Sequence, residues 1–149
     1  MSPRAAFVLG FLACLASIAA VGVLAKAAAQ TWLVVPVASY HSPRDGYSQI
    51  NPGIGLEKAY SERWVLGAGY YRNSNRRDSF YVGANYSRWR IGDVRLGTSL
   101  GLVSGYGGVM PMIAPTATYD AGRAGVSLIV APPIKGTMMV GVMLRWRLE

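Results

Sequence analysis

The stretch RWVLGAGYYRNSNRRDSFYVGANYSRW, from Arg63 to Trp89, constrains this chain more than any other. Trp64, Leu66, Ala68 and Tyr70 share one parity, and Phe80, Val82, Ala84 and Tyr86 share one after a basic, polar loop. The opposite parities hold Gly67 and Gly69, then Gly83, Asn85 and Ser87. Apolarity recurring every second residue is the pattern of a strand. A bulky apolar face backed by a small or polar one suits a wall with lipid outside and a narrow interior within. A soluble barrel would carry the reverse pattern, polar outside.

The remaining composition points the same way. The 149 residues make one domain, 52% apolar and only 15% charged. Beyond the N-terminus, however, no apolar run is long enough for a spanning helix. Apolar residues spread over alternating positions are what a membrane barrel needs, because its backbone groups are satisfied between strands and closure removes the edges. The 18 glycines fit an interior with little room for side chains. The net charge of +8 comes from basic residues scattered through loops and strand ends. That distribution argues against nucleic acid, which a single basic stripe would suit, and for phosphates of anionic lipid or lipopolysaccharide. One cysteine, Cys14, and one histidine, His41, cannot build a metal site of several such ligands, and no disulfide can form within the chain. No cofactor is expected.

Residues 1–29 read as a secretory signal: Arg4 supplies the positive start, an apolar run follows, and Ala27-x-Ala29 offers a cleavage site. A retained anchor is the competing reading. Residues 30–149 then form the barrel. Strands are expected at 33–40, 49–59, 63–71, 80–88, 94–103, 109–119, 124–131 and 137–147. Eight antiparallel strands are the smallest usual number for an outer-membrane barrel. With both termini periplasmic, 41–48, 72–79, 104–108 and 132–136 become the external connections, which puts His41 and Ser74 at one rim.

Several segments in order resemble a known family. Val35-Pro36-Val37-Ala38-Ser39-Tyr40-His41 looks like the first strand of the outer-membrane lipid A palmitoyltransferases of the PagP type. Asn51-Pro52-Gly53-Ile54-Gly55 is similar to their second-strand run. Asn73-Ser74 stands where they have Asp-Ser, and Pro111-Met112-Ile113-Ala114-Pro115 repeats their sixth-strand proline spacing. Val130-Ala131-Pro132-Pro133 falls where a Tyr-Ile-Pro segment ends the seventh strand. The departures are Asn73 for the aspartate and no room for an amphipathic helix before the first strand.

The resemblance implies a monomeric, membrane-embedded acyltransferase of a Gram-negative outer membrane. It would move an acyl chain from a phospholipid donor to lipid A. His41, whose ordinary pKa suits a general base, would deprotonate the acceptor hydroxyl. Ser74 or its neighbouring backbone would hold the oxyanion, and Asn73 would orient the ring or donate to the oxyanion. Gly83 would end the acyl pocket as a ruler. Independently of the resemblance, Pro36 with Pro52, and Pro111 and Pro115 with Pro132 and Pro133, withhold ladder donors along two seams. By resemblance, these seams would admit the two lipids. Arg72, Arg76 and Arg77 would meet lipid phosphates. The rival expectations are a non-enzymatic barrel of the same architecture and a lipid hydrolase.

Overall fold

The computed structural model describes residues 30–44, 46–134 and 136–148. The proposed signal, including Cys14, lies outside the described residues. Eight strands follow one another: β1 (Thr31–Ser42), β2 (Gly53–Ala59), β3 (Trp64–Arg72), β4 (Asp78–Ile91), β5 (Val94–Val103), β6 (Met110–Ala121), β7 (Ala124–Ile134) and β8 (Thr137–Arg147). Each pairs antiparallel with its sequence neighbours, and β1 closes on β8. The expected eight-stranded antiparallel barrel is therefore the fold. An even strand count brings both ends of the barrel to one rim, the terminal rim, where Leu148 donates its backbone N–H to Thr31 at 2.8 Å. The opposite, loop rim carries the longer connections.

The alternation sorts as expected. Trp64, Val82, Leu100, Leu102, Ile113, Leu128, Leu144 and Trp146 are exposed on the outer wall. Such a belt of large apolar side chains faces hydrocarbon, not water. Most strand ends shift by a few residues from the sequence expectation; β1 runs on through His41, expected in the external connection, and two of the shifts fall on prolines. β2 begins at Gly53 rather than at residue 49, so Pro52 precedes the strand. Pro52 has no N–H to give a ladder, and residues 49–52 hold β1 through the single bridge Ala38↔Ile50. Conversely, Pro132 and Pro133, expected in a loop, are the end of β7, where the register against β8 shifts between Ala131 and Ile134.

Inside, the half nearer the terminal rim is filled by charge. Arg145 is 4% exposed and reaches Glu57 at 3.0 Å and Asp120 at 2.9 Å, while Arg95 pairs with Asp120 from the other side. Trp32 lies with its ring centroid 4.5 Å from the Arg145 guanidinium. Thr118 with Ser127, and Asn85 with Thr116, bond across the neighbouring wall. Gly67 opens the room this needs, since a Cβ there would meet the Glu57 side chain at 3.0 Å. The cluster joins β2, β5, β6 and β8 across the lumen.

Removing one member of a buried ion cluster leaves its partners uncompensated, which costs more than the pair contributes. Arg145→Met is expected to lower the unfolding free energy of the refolded barrel by about 3–5 kcal/mol, read by urea titration, and to raise ion leakage through vesicles that contain it. Stability within 1 kcal/mol of the parent, on the order of an exposed pair, would show that the cluster is only decorative.

Candidate functional site

Above the charged cluster lies a cavity of about 130 Å³. Its walls are largely apolar: Pro36, Val103, Met112, Ile129, Met139 and Met143. Polar groups sit at its loop-rim end, among them Ser39, Asn51, Ser74 and Tyr106, and Glu57 and Ser99 reach it from the charged half.

The wall beside this cavity is incompletely laced. The β6–β7 ladder runs from Ala121↔Ala124 to Thr116↔Ile129 and stops, leaving 110–115 of β6 without β7 partners. The β5–β6 ladder meanwhile continues through Pro115 and Pro111 to Val103↔Met110. The missing proline donors therefore fall on the β7 side. The β1–β2 ladder likewise stops at Val34↔Gly55, and β1 bulges against β8 between Pro36 and Ala38. Asn51 and Ser39 N–H groups restore contact higher up, donating to Val37 and Gln49 at 3.1 and 2.9 Å. The opening at β6–β7 is thus the longer of the two, and Met112 and Ile129 flank it from inside the cavity.

His41 lies near the end of β1 and is 4% exposed. Its ring stacks on Tyr47 with centroids 4.6 Å apart, and its backbone N–H donates to Gln49 at 3.2 Å. Ser39, two residues earlier and so on the same face, places Oγ 3.5 Å from Nδ1. Ser39 gives its own proton to Asn51 Oδ1, and Asn51 donates Nδ2 to the Arg72 carbonyl at 3.1 Å. With its proton committed, Ser39 can only accept from His41. The Gln49 side chain bonds the same ring, so Ser39 and Gln49 together fix its direction. The parity that marked the strand would have picked out Ser39; nothing in the sequence signalled that Asn51 reaches across from the segment before β2 to hold it.

Asn73 is fully buried and spent elsewhere. Its Oδ1 accepts from the backbone N–H groups of Asn75 at 2.9 Å and Arg77 at 3.0 Å. Its Nδ2 donates to Ser79 at 2.9 Å and to the Gly105 carbonyl at 3.0 Å. Two acceptances and two donations exhaust a carboxamide's ordinary capacity. Asn73 thus ties the β3–β4 connection to the β5–β6 connection. Ser74 is buried and lines the cavity, and its carbonyl accepts the Ser48 N–H at 2.9 Å, which brings the connection after β1 to the one after β3. Arg72, Arg76 and Arg77 are exposed at the same rim, with Arg76 at a φ of 60°. Pro111 and Pro115 are exposed on the outer wall, and Pro36 is buried against the cavity.

The glycines serve the wall itself. A Cβ on Gly83 would meet the Leu100 carbonyl at 2.4 Å and Gly101 Cα at 2.9 Å, so Gly83 allows a close backbone approach and does not line the cavity. Gly69 and Gly55 form a notch occupied by Tyr81: a Cβ would meet the ring at 2.7 Å and the hydroxyl at 2.3 Å respectively. Glycine in a strand commonly marks such approach.

No protein-family model matches this chain, and no curated protein matches it. Among solved structures it is similar to the solution NMR structure of the de novo designed TMB2.3, with a TM-score of 0.64 and 14% identity over 83% of this chain and 98% of that one. A second structure, from de novo design of transmembrane beta-barrels, gives a TM-score of 0.61 and 15% identity over 80% and 95%. These likenesses show the fold, that of a small barrel whose outer wall suits a membrane.

An aspartate cannot donate to Ser79 or to the Gly105 carbonyl. Asn73→Asp is therefore expected to destabilise the barrel by about 2 kcal/mol or more, since two buried acceptors lose their donor, and to speed proteolysis at the two connections it joins. Unchanged urea midpoint and cleavage rate would refute that role.

Proposed function

We propose that this barrel is an outer-membrane lipid A acyltransferase, which takes an acyl chain from a phospholipid sideways into its cavity. The observation that carries the reading is the interruption of the β6–β7 ladder beside an apolar cavity. A hydrocarbon tail has no hydrogen bonds to lose on leaving lipid, and an unlaced wall lets it pass without breaking strand pairs. His41 supports the chemistry. Its imidazole takes the proton of an acceptor hydroxyl as that oxygen attacks the donor ester carbonyl. The carbon–oxygen bond to the donor breaks, and the departing lysophospholipid oxygen takes the proton back. Ser39 and Asn51 hold the ring in place of an acidic partner. Ser74, at the cavity's polar end, is placed near the incoming ester. The exposed Arg72, Arg76 and Arg77 face lipid phosphates at the same rim, as expected for the outer surface of a Gram-negative-type membrane.

A non-enzymatic barrel of the same build is the second reading. One observation favours it: Asn73, at the position of the resembled family's aspartate, is wholly committed to holding two connections together.

Mass spectrometry of lipid A from cells expressing the chain separates the two. The parent is expected to add one acyl chain, and His41→Ala to reduce the rate by about 10²–10⁴, the contribution of a general base. Ser39→Ala is expected to fall between them. An unchanged lipid A profile, with the barrel folded in the outer membrane, would support the non-enzymatic reading. Loss of an acyl chain would make the protein a hydrolase.

A further inference from the structure

The cavity is apolar along its walls but not in its depth. Tyr81 projects into it from β4, held in the notch of Gly55 and Gly69, and its hydroxyl is shielded from solvent with no hydrogen-bond partner. Ser99 and Glu57 line the same interior, and Glu57 is paired with Arg145 at 3.0 Å. An empty cavity can hold water against these groups. A saturated hydrocarbon entering would expel that water and leave the Tyr81 hydroxyl unpaired, a loss that buried polar groups rarely tolerate.

We propose that the cavity selects an acyl chain that carries a hydroxyl partway along its length. Such a hydroxyl accepts from Tyr81 and has its own proton to give to Ser99 or Glu57. The walls of Met112, Ile129, Met139 and Met143 bury the hydrocarbon on either side of it. The inference rests on the reading that the cavity takes an acyl chain, but it concerns binding and needs no turnover. Specificity of this kind is strong because a site built to bond a hydroxyl rejects the analogue that lacks it.

The test uses the full barrel in lipid nanodiscs and calorimetric binding of two probes. One is a sixteen-carbon saturated fatty acid; the other is a set of the same acid with a hydroxyl walked along the chain. At least one internal position is expected to bind about tenfold tighter than the plain acid, the effect of one satisfied buried polar group. Tyr81→Phe should abolish that preference while leaving affinity for the plain acid equal or higher. Heat-modified mobility on gels verifies that the variant is folded, and Ser99→Ala, which leaves the Tyr81 notch intact, provides a second variant expected to weaken the preference. Equal binding of all chains by the parent, or a preference that survives Tyr81→Phe, overturns the inference and leaves the acyl-chain reading standing. Binding of none of them overturns both.

Discussion

A chain surrounded by hydrocarbon must satisfy its own backbone, and every other feature of this protein is arranged around that requirement. In lipid, an unpaired N–H or carbonyl has no water to turn to. Eight strands laced edge to edge, with β1 returning to β8, meet the demand. The same constraint gives the β6–β7 interruption its meaning. Backbone left unpaired in a membrane wall is costly unless the donor is absent, and proline supplies that absence without an orphan N–H. Pro111 and Pro115 thus remove two of the donors along the unlaced edge, while the β5 side of the strand remains paired.

Closing the wall creates a second problem, an interior too narrow to be water and too polar in its backbone surroundings to be oil throughout. The chain divides it. Around Arg145 the lumen is filled by opposed charges and hydroxyls, each drawing its partner from a different strand. Above, methionine, isoleucine and valine leave space. Methionine suits a wall whose occupant varies, being unbranched and adaptable. Glu57 belongs to both halves, paired with Arg145 on one side and lining the cavity on the other. Gly83 contributes through the close approach of β4 and β5.

Much of this was legible in the sequence because strand periodicity is local. Trp64, Leu66 and Tyr70 announce their shared face within a few residues, and the strand edges of β5 and β8 agree with the alternation that revealed them. The prolines were legible for the same reason: a missing donor is a property of one residue. The charged cluster was not. Glu57, Arg95, Asp120 and Arg145 stand far apart in the chain, each reading as an isolated charge at a strand end, and only closure of the barrel brings them together. The same holds for Asn51, whose bond to Ser39 depends on the isolated Ala38↔Ile50 bridge beyond the end of the β1–β2 ladder.

Asn73 shows how one position can answer two demands differently. At a rim where backbone carbonyls and hydroxyls crowd inward, a residue that both donates and accepts can join neighbouring connections; a carboxylate only accepts. With the carboxamide, this chain gains a fixed rim and carries no negative charge at that position. The His41 imidazole meets neutral groups instead, Ser39 backed by Asn51. Neutral partners can fix a ring's tautomer and its direction, but they stabilise an imidazolium far less than an anion does. A base held in this way would act mainly through positioning, which alone can supply much of an enzyme's advantage.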